Sequence, residues 1–338
     1  MAELLTRIKK PSRRRAIVLW VALALAAVFL LFHVRDILWM FSEMGTYLSY
    51  KFIRRALVVG TLVSLTAALL GVSLVLKRYS MIGDGLSHVG FGALTVAMAL
   101  GFVTADALPG FLPEGMRNAI AGLCAGVAQS PLPFTLVVVV LCAFALLRIS
   151  GQSRMGGDSA IALISTSALA LGVVVTSMTS GMNVDVYNYM FGSILAMSAS
   201  DVWLSVILSA AVLVLFLLFY PRIFAVTFDE RFARATGMNA GVYNMLIALL
   251  TAVTVVVGMR MMGTLLISSL IIFPALSSMR VFSDFRAVTL SSAVVSVACF
   301  LVGMMISCVW SIPTGAGIVG INLVVFVVCT AIEGMRKT

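Results

Sequence analysis

Long apolar runs separated by short polar connections dominate the pattern of this chain. A membrane-spanning helix needs about 20 mostly apolar residues, and each run is close to that length. The pattern therefore predicts an all-α, polytopic membrane protein with about eight to ten transmembrane helices. The predicted spans are residues 16–33, 54–76, 82–101, 131–147, 158–179, 202–220, 241–258, 261–279, 287–309 and 315–334.

Three stretches fit this pattern less well. Residues 34–53 carry aromatic residues and favour an interfacial helix. Residues 118–130 are apolar and favour a re-entrant segment, and residues 186–197 could dip into the membrane between two spans.

The composition excludes most other classes of protein. Of 338 residues, 62% are hydrophobic and 11% are charged, whereas a soluble domain has roughly 25% charged residues. No polar stretch is long enough to fold alone. The five cysteines show no close pairing and are interpreted as small buried apolar residues, not as a metal cluster or a disulfide framework.

The net charge of +10 indicates orientation rather than nucleic-acid binding. With both termini in the cytoplasm, 17 of the 23 Lys and Arg residues fall on inner segments and 6 on outer ones. This asymmetry is typical of a multi-pass membrane protein with its basic segments inside. The basic leader, residues 1–15, is a topology signal on this interpretation; a cleaved signal peptide is the alternative.

Catalytic motifs are missing from the chain. It has no phosphate-binding GxxxxGK[ST] loop, and no lysine occurs between Lys77 and Lys337. Because such a loop requires a lysine, ATP hydrolysis cannot reside in the body of this protein. The sequence therefore predicts that the chain is not itself an enzyme.

Asp84 and His88 are the only Asp, Glu, His, Lys or Arg residues inside the predicted spans, away from the span ends. Their spacing of four residues puts both side chains on one helical face. A carboxylate and an imidazole suit zinc, manganese or iron, and an intramembrane charge usually marks a transport path. The alternative is that Asp84 caps the third span near its inner end and His88 satisfies a local hydrogen bond.

An acidic outer segment, residues 180–201, contains no basic residue. Asp185, Asn188 and Asp201 are its candidates for a mouth that concentrates cations. An ordinary polar loop with aromatic interface anchors is the alternative.

The segment 221–240 is the longest inner polar stretch after the N-terminus. Within it, residues 229–236 favour a short amphipathic helix with Phe228 and Phe232 on one face and Gly237 as its stop. Such a helix is typical of a docking site for a partner ATPase. The alternative is a solvated connector between two spans.

Pro274 should kink the eighth span, because proline removes one backbone donor. The hydroxyls expected to satisfy the freed carbonyls are those of Ser268, Ser269, Ser277 and Ser278.

These features together resemble a known family, the membrane permease subunits of bacterial zinc, manganese and iron uptake ABC transporters (the ABC-3 metal permease family). The resemblance covers about residues 50–334 and implies a type II-like permease fold. The matching stretches are KRYSMIGDGLSHVGFGALTVAMALG at 77–101, DSAIALISTSALALGV at 158–173, YNYMFGSILAMSASDV at 187–202, FDERFARATG at 228–237 and MMGTLLISSLIIFPALSS at 261–278.

The resemblance implies a homodimer, a separate cytoplasmic ATP-binding subunit and an extracytoplasmic metal-binding protein, with no permanently bound cofactor. It assigns the metal path to Asp84 and His88. Residues 48–338 would form the permease domain, and residues 1–47 an additional basic segment and span. The residues it assigns to ATPase coupling are Phe228, Asp229, Glu230, Phe232, Ala233, Arg234 and Gly237.

The hypothesis is an ABC importer permease for a divalent metal, with zinc first because of the histidine and with manganese and iron next. An ABC permease for a metal-chelate and a stand-alone secondary transporter are the rival hypotheses. Proton or sodium coupling normally needs more intramembrane carboxylates than Asp84 alone.

Overall fold

The computed structural model describes residues 49–107, 109, 113–152, 157–179 and 199–336, and the regular structure in these ranges is entirely helical. Two short 3₁₀ turns, Leu100–Phe102 and Ala105–Ala107, follow α2. The α-helices are α1 Lys51–Leu76, α2 Ile82–Ala99, α3 Glu114–Gln129, α4 Pro131–Gln152, α5 Gly157–Met178, α6 Ala199–Leu218, α7 Tyr220–Phe228, α8 Glu230–Ala235, α9 Ala240–Met262, α10 Thr264–Val281, α11 Phe285–Trp310 and α12 Thr314–Arg336.

The described helices confirm a polytopic membrane protein. Seven are long and apolar enough to cross a membrane, and the number rises to nine if each of two bent pairs is one span. The first bent pair, α3 with α4, turns by 88°, and the second, α6 with α7, turns by 69°. The predicted span 16–33 and the predicted dip at 186–197 lie outside the described residues.

Several predicted boundaries were wrong. Residues 51–53, assigned to an interfacial segment, belong to α1, which begins at Lys51. Only residues 229–236 of the segment 221–240 were predicted to be helical, but the segment also contains most of α7, which follows α6 after the bend. The apolar stretch 118–130 is not among the errors, because most of it belongs to α3, and the 88° bend of α3 against α4 is compatible with the predicted re-entrant segment.

The chain divides into two compact units, residues up to Val72 with those from Ser269 onward, and Ser73–Ser268. In the first unit, serines of α11 hydrogen-bond the backbone of α1. The Ser296 hydroxyl donates to the Ser64 carbonyl at 2.9 Å, and the Ser292 hydroxyl donates to the Ala68 carbonyl at 3.4 Å. Such bonds between apolar helices are typical of membrane bundles, where hydrophobic burial alone gives little association.

In the second unit, α2 packs against α4, α5 and α9. Glycines of α2 allow the closest approach to α5. A Cβ at Gly92 would lie 2.6 Å from the Ala168 carbonyl oxygen, and one at Gly85 would lie 2.6 Å from Ile161 Cγ2. Glycine at these two positions therefore allows α2 and α5 to come close.

The helix α10 runs through Pro274, and three of the four serines expected to satisfy the freed carbonyl do not do so. The hydroxyls of Ser277 and Ser278 are buried and contact no hydrogen-bond partner in the described residues. The Ser268 hydroxyl donates to the carbonyl of Thr264, whereas the carbonyl that the proline leaves free is that of Leu270.

A glycine-to-alanine pair tests the packing of α11 on α12. A Cβ at Gly303 would lie 2.5 Å from the Ile318 Cα, which is backbone and cannot rotate away. We expect Gly303→Ala to destabilise the protein by about 1–3 kcal/mol, measured as a lower melting temperature in detergent. Gly320→Ala on α12 is the control, because nothing lies within 4 Å of its Cβ position. Equal melting temperatures for the two variants would contradict the packing.

Candidate functional site

Asp84 and His88 lie together on the first two turns of α2. The His88 Nε2 atom is 3.6 Å from the Asp84 Oδ2 atom. Side-chain exposure is 43% for Asp84 and 20% for His88, so the carboxylate is the more accessible member of the pair. The predicted arrangement on one helical face is confirmed.

The capping alternative for Asp84 does not fit the geometry. The N-cap of α2 is Met81, and no side chain makes a capping hydrogen bond there. Asp84 lies in the first turn, where the helix dipole favours a negative charge. Its side chain instead faces His88 and the hydroxyl of Ser268.

Ser268 reaches the same carboxylate from α10. Its Oγ atom is 3.3 Å from Asp84 Oδ1 and 3.0 Å from the Thr264 carbonyl oxygen. Because a serine hydroxyl has a single proton, it donates to one of these acceptors at a time. No local pattern predicts this contact, because it joins residues that are 184 positions apart in the chain.

The His88 Nδ1 atom is buried and has no hydrogen-bond partner among the described residues. A buried ring nitrogen without a partner is costly unless a ligand or water satisfies it. Imidazole nitrogen and carboxylate oxygen are both common ligands of divalent transition metals. The pair therefore offers two metal ligands, one of which has an unused coordinating atom.

Two ligands do not complete a metal site. No group of three or more His, Cys, Asp or Glu side chains that could hold an ion occurs in the described part of the chain. A four-coordinate ion at Asp84 and His88 thus needs further ligands from outside these residues.

The short helix α8 has the ends that the sequence predicts. The Asp229 carboxylate accepts a hydrogen bond from the Phe232 backbone N–H at 2.9 Å, which caps the N-terminus. At the other end Gly237 has φ +84°, and the Met238 N–H donates to the Ala233 carbonyl at 3.0 Å. This is the Schellman geometry that glycine favours.

The two faces of α8 differ. Ala233 is fully buried in a small apolar cluster with Val226 of α7 and Ala240 of α9. Phe232 points outward and is 66% exposed. The prediction that Phe228 shares its helix was wrong, because Phe228 ends α7; it too is exposed.

The outer-mouth candidates cannot be placed as a group. Asp185 and Asn188 lie outside the described residues, and Asp201 lies near the N-terminus of α6.

A partly buried polar cluster that the sequence analysis missed includes two residues of α8. Lys77 lies 3.8 Å from Glu230 and donates a hydrogen bond to the side-chain oxygen of Asn244. The Asn244 amide in turn donates to Glu230 Oε2 at 3.1 Å, and Arg234 donates to Glu230 Oε1 at 2.5 Å. Lys77 is 11% exposed. We call these four residues the Lys77 cluster.

Burial, neighbouring charges and hydrogen bonds together shift the pKa values of Lys77 and Glu230. Burial lowers the pKa of Lys77, and the negative charge of Glu230 opposes that shift. Burial alone would raise the pKa of Glu230, but hydrogen bonds from Asn244 and Arg234 and the charge of Lys77 together lower it. A cavity of about 810 Å³ borders the cluster and is lined by all four of its residues and by Arg148.

The chain is similar in sequence to membrane proteins of manganese and zinc transport systems. The chain is 26% identical over 272 residues to the manganese transport system membrane protein MntC of Halalkalibacterium halodurans, covering 80% of this chain and 84% of the relative. It is 25% identical over 274 residues to the high-affinity zinc uptake system membrane protein ZnuB of Haemophilus influenzae, covering 80% and 94%.

The fold is similar to that of a solved structure, PsaBC from Streptococcus pneumoniae in complex with Fab. The TM-score is 0.69 at 23% identity, with 89% of this chain and 100% of the other covered. The family model of the ABC 3 transport family matches residues 49–333, which is most of the chain. With that match and a helical membrane fold, the chain belongs to the ABC 3 transport family.

Proposed function

We propose that this chain is the permease subunit of an ABC importer that carries a divalent transition metal into the cytoplasm. The observation that carries the proposal is the Asp84–His88 pair, with its buried His88 Nδ1 atom that has no partner in the described structure. Placing a carboxylate and an imidazole within a membrane costs free energy, and a transported cation is the species that both side chains can bind.

A second copy of the chain would supply the missing ligands. Two protomers that meet at this face of α2 would place two carboxylates and two imidazoles around one path, a set compatible with tetrahedral zinc. The imidazole ligand favours zinc, whereas a site with oxygen ligands alone would favour manganese. The names of relatives include both manganese and zinc systems, so manganese is the competing cargo.

ATP hydrolysis would occur on a separate subunit that docks on α8. The exposed ring of Phe232 and the buried anchor Ala233 support this, because a helix held firmly on one side can transmit force received on the other. An extracytoplasmic metal-binding protein would deliver the ion at the opposite side, where Asp185, Asn188 and Asp201 remain the predicted mouth.

Removing either proposed ligand should strongly reduce transport. We expect Asp84→Ala and His88→Ala to reduce zinc or manganese uptake by about tenfold or more, measured with radioactive metal in a strain that lacks other importers. Asp106→Asn is the control, since Asp106 is an exposed carboxylate on the 3₁₀ turn beyond α2. Wild-type uptake by the two alanine variants at normal protein levels would refute the site.

Ser268 should position the carboxylate rather than bind the metal alone. We expect Ser268→Ala to raise the KM for metal uptake several-fold, because Asp84 loses its hydroxyl neighbour at 3.3 Å, while the maximal rate changes less. Ser268→Thr, which keeps the hydroxyl, should restore the KM. An unchanged KM in Ser268→Ala, or no rescue by threonine, would argue against this role.

Docking through α8 has its own test. We expect Phe232→Ser to weaken binding of the ATP-binding subunit by about tenfold or more, because exposed aromatic residues dominate many interfaces. Co-purification and affinity of the two subunits in detergent measure this. Phe102→Ser, at a ring that is also largely exposed, is the matched control. Unchanged co-purification of the Phe232 variant would place the docking surface elsewhere.

A further inference from the structure

The Lys77 cluster joins three segments of the second unit at one point. Lys77 directly follows the last residue of α1, Glu230 is the first residue of α8, and Asn244 lies on the first turns of α9. Each of these three side chains contacts the other two. Movement of α8 therefore changes the contacts of Lys77 directly.

The connection from Lys77 to α2 is short and held by hydrogen bonds. Only residues 77–81 separate the two helices. The Tyr79 N–H donates to the Leu74 carbonyl at 2.9 Å, and the Ile82 N–H donates to the Tyr79 carbonyl at 3.0 Å. A displacement of Lys77 would thus pass to the first turn of α2, which carries Asp84.

The turn also contains a strained residue. Arg78 has φ +62°, a left-handed conformation that costs a non-glycine residue roughly 1 kcal/mol or more. Its N–H donates to the Val75 carbonyl at 3.1 Å, which completes a Schellman end for α1. The sequence has no glycine at this turn, so the surrounding contacts hold the conformation.

The charges make Lys77 dependent on Glu230. A buried ammonium group is costly unless a carboxylate and hydrogen bonds compensate it. Glu230 is the acidic residue within reach of Lys77 in the cavity lining, and Arg234 competes for the same carboxylate from within α8. The cavity of about 810 Å³ borders α8 at Glu230 and Arg234.

We propose that the contact of Lys77 with Glu230 is the link through which α8 sets the position of Asp84. This inference rests on the proposed function, in which α8 receives the ATP-binding subunit and Asp84 binds the metal. Lys77 is then a positioning residue: it touches neither metal nor ATPase, and it carries the displacement of one to the other.

A merely structural role makes a different prediction. If the cluster only fastens α8 to the bundle, loss of Lys77 should weaken ATPase binding and thermal stability together with transport. If the cluster is a link, loss of Lys77 should leave the complex assembled and hydrolysing ATP while less metal moves for each ATP consumed.

The test uses the full complex, permease with its ATP-binding and metal-binding partners, reconstituted in proteoliposomes. We expect Lys77→Met to retain co-purification of the ATP-binding subunit and ATP hydrolysis, because Arg234 and Asn244 still satisfy Glu230. The metal imported per ATP hydrolysed should fall by about tenfold. Lys77→Arg, which keeps the charge, should recover a large part of it.

A matched control removes an ion pair of the other unit. Arg280 donates to Glu333 at 2.9 Å, and Arg280→Met should leave the ratio of metal to ATP at the wild-type value. A double-mutant cycle adds specificity. Lys77→Met combined with Glu230→Gln should be no worse in this ratio than the worse single variant, because both remove one contact.

Two results would overturn the inference: a wild-type ratio in Lys77→Met, or a parallel loss of assembly and uptake in that variant. Failure of the proposed function would be visible separately. In that case the wild-type complex itself would show no ATP-dependent metal uptake, and the inference would fall with it.

Discussion

A membrane interior cannot solvate charge, and this constraint governs where the polar groups of the protein lie. In the described residues the helices bury serine and threonine hydroxyls mostly against backbone carbonyls, as Ser296 does against α1. Asp84 and His88 are an exception, because here a carboxylate and an imidazole ring face each other near the start of α2. The proposed metal path depends on this pair, since a cation that crosses the membrane needs such ligands.

The packing of α2 makes the site possible. Gly85 and Gly92 bring α5 close enough that a side chain at either position would collide with it. Ser268 approaches the same region from α10 and faces the Asp84 carboxylate. Lys77 lies a few residues earlier in the chain and contacts the helix proposed to receive the ATPase.

Local sequence patterns predicted much of the fold and of the candidate site, whereas contacts between residues distant in sequence could not be predicted. Apolar runs gave most helices, and residue types at fixed spacing gave the Asp84–His88 pair and both ends of α8, since Asp229 and Gly237 act within a few residues of themselves. The bend between α6 and α7 was missed because apolar content does not encode direction. Lys77 and Asn244 meet across 167 positions, and nothing in the neighbourhood of either residue indicates the other.

ATP-driven metal uptake by the reconstituted complex tests the central claim most directly. Proteoliposomes that hold this permease and its ATP-binding subunit, supplied with the metal-binding protein, would be given radioactive zinc or manganese with and without ATP. The account predicts accumulation against a concentration gradient that requires ATP and the metal-binding protein. Metal entry that is independent of ATP, or ATP-driven accumulation of an organic chelate but not of the ion, would contradict it.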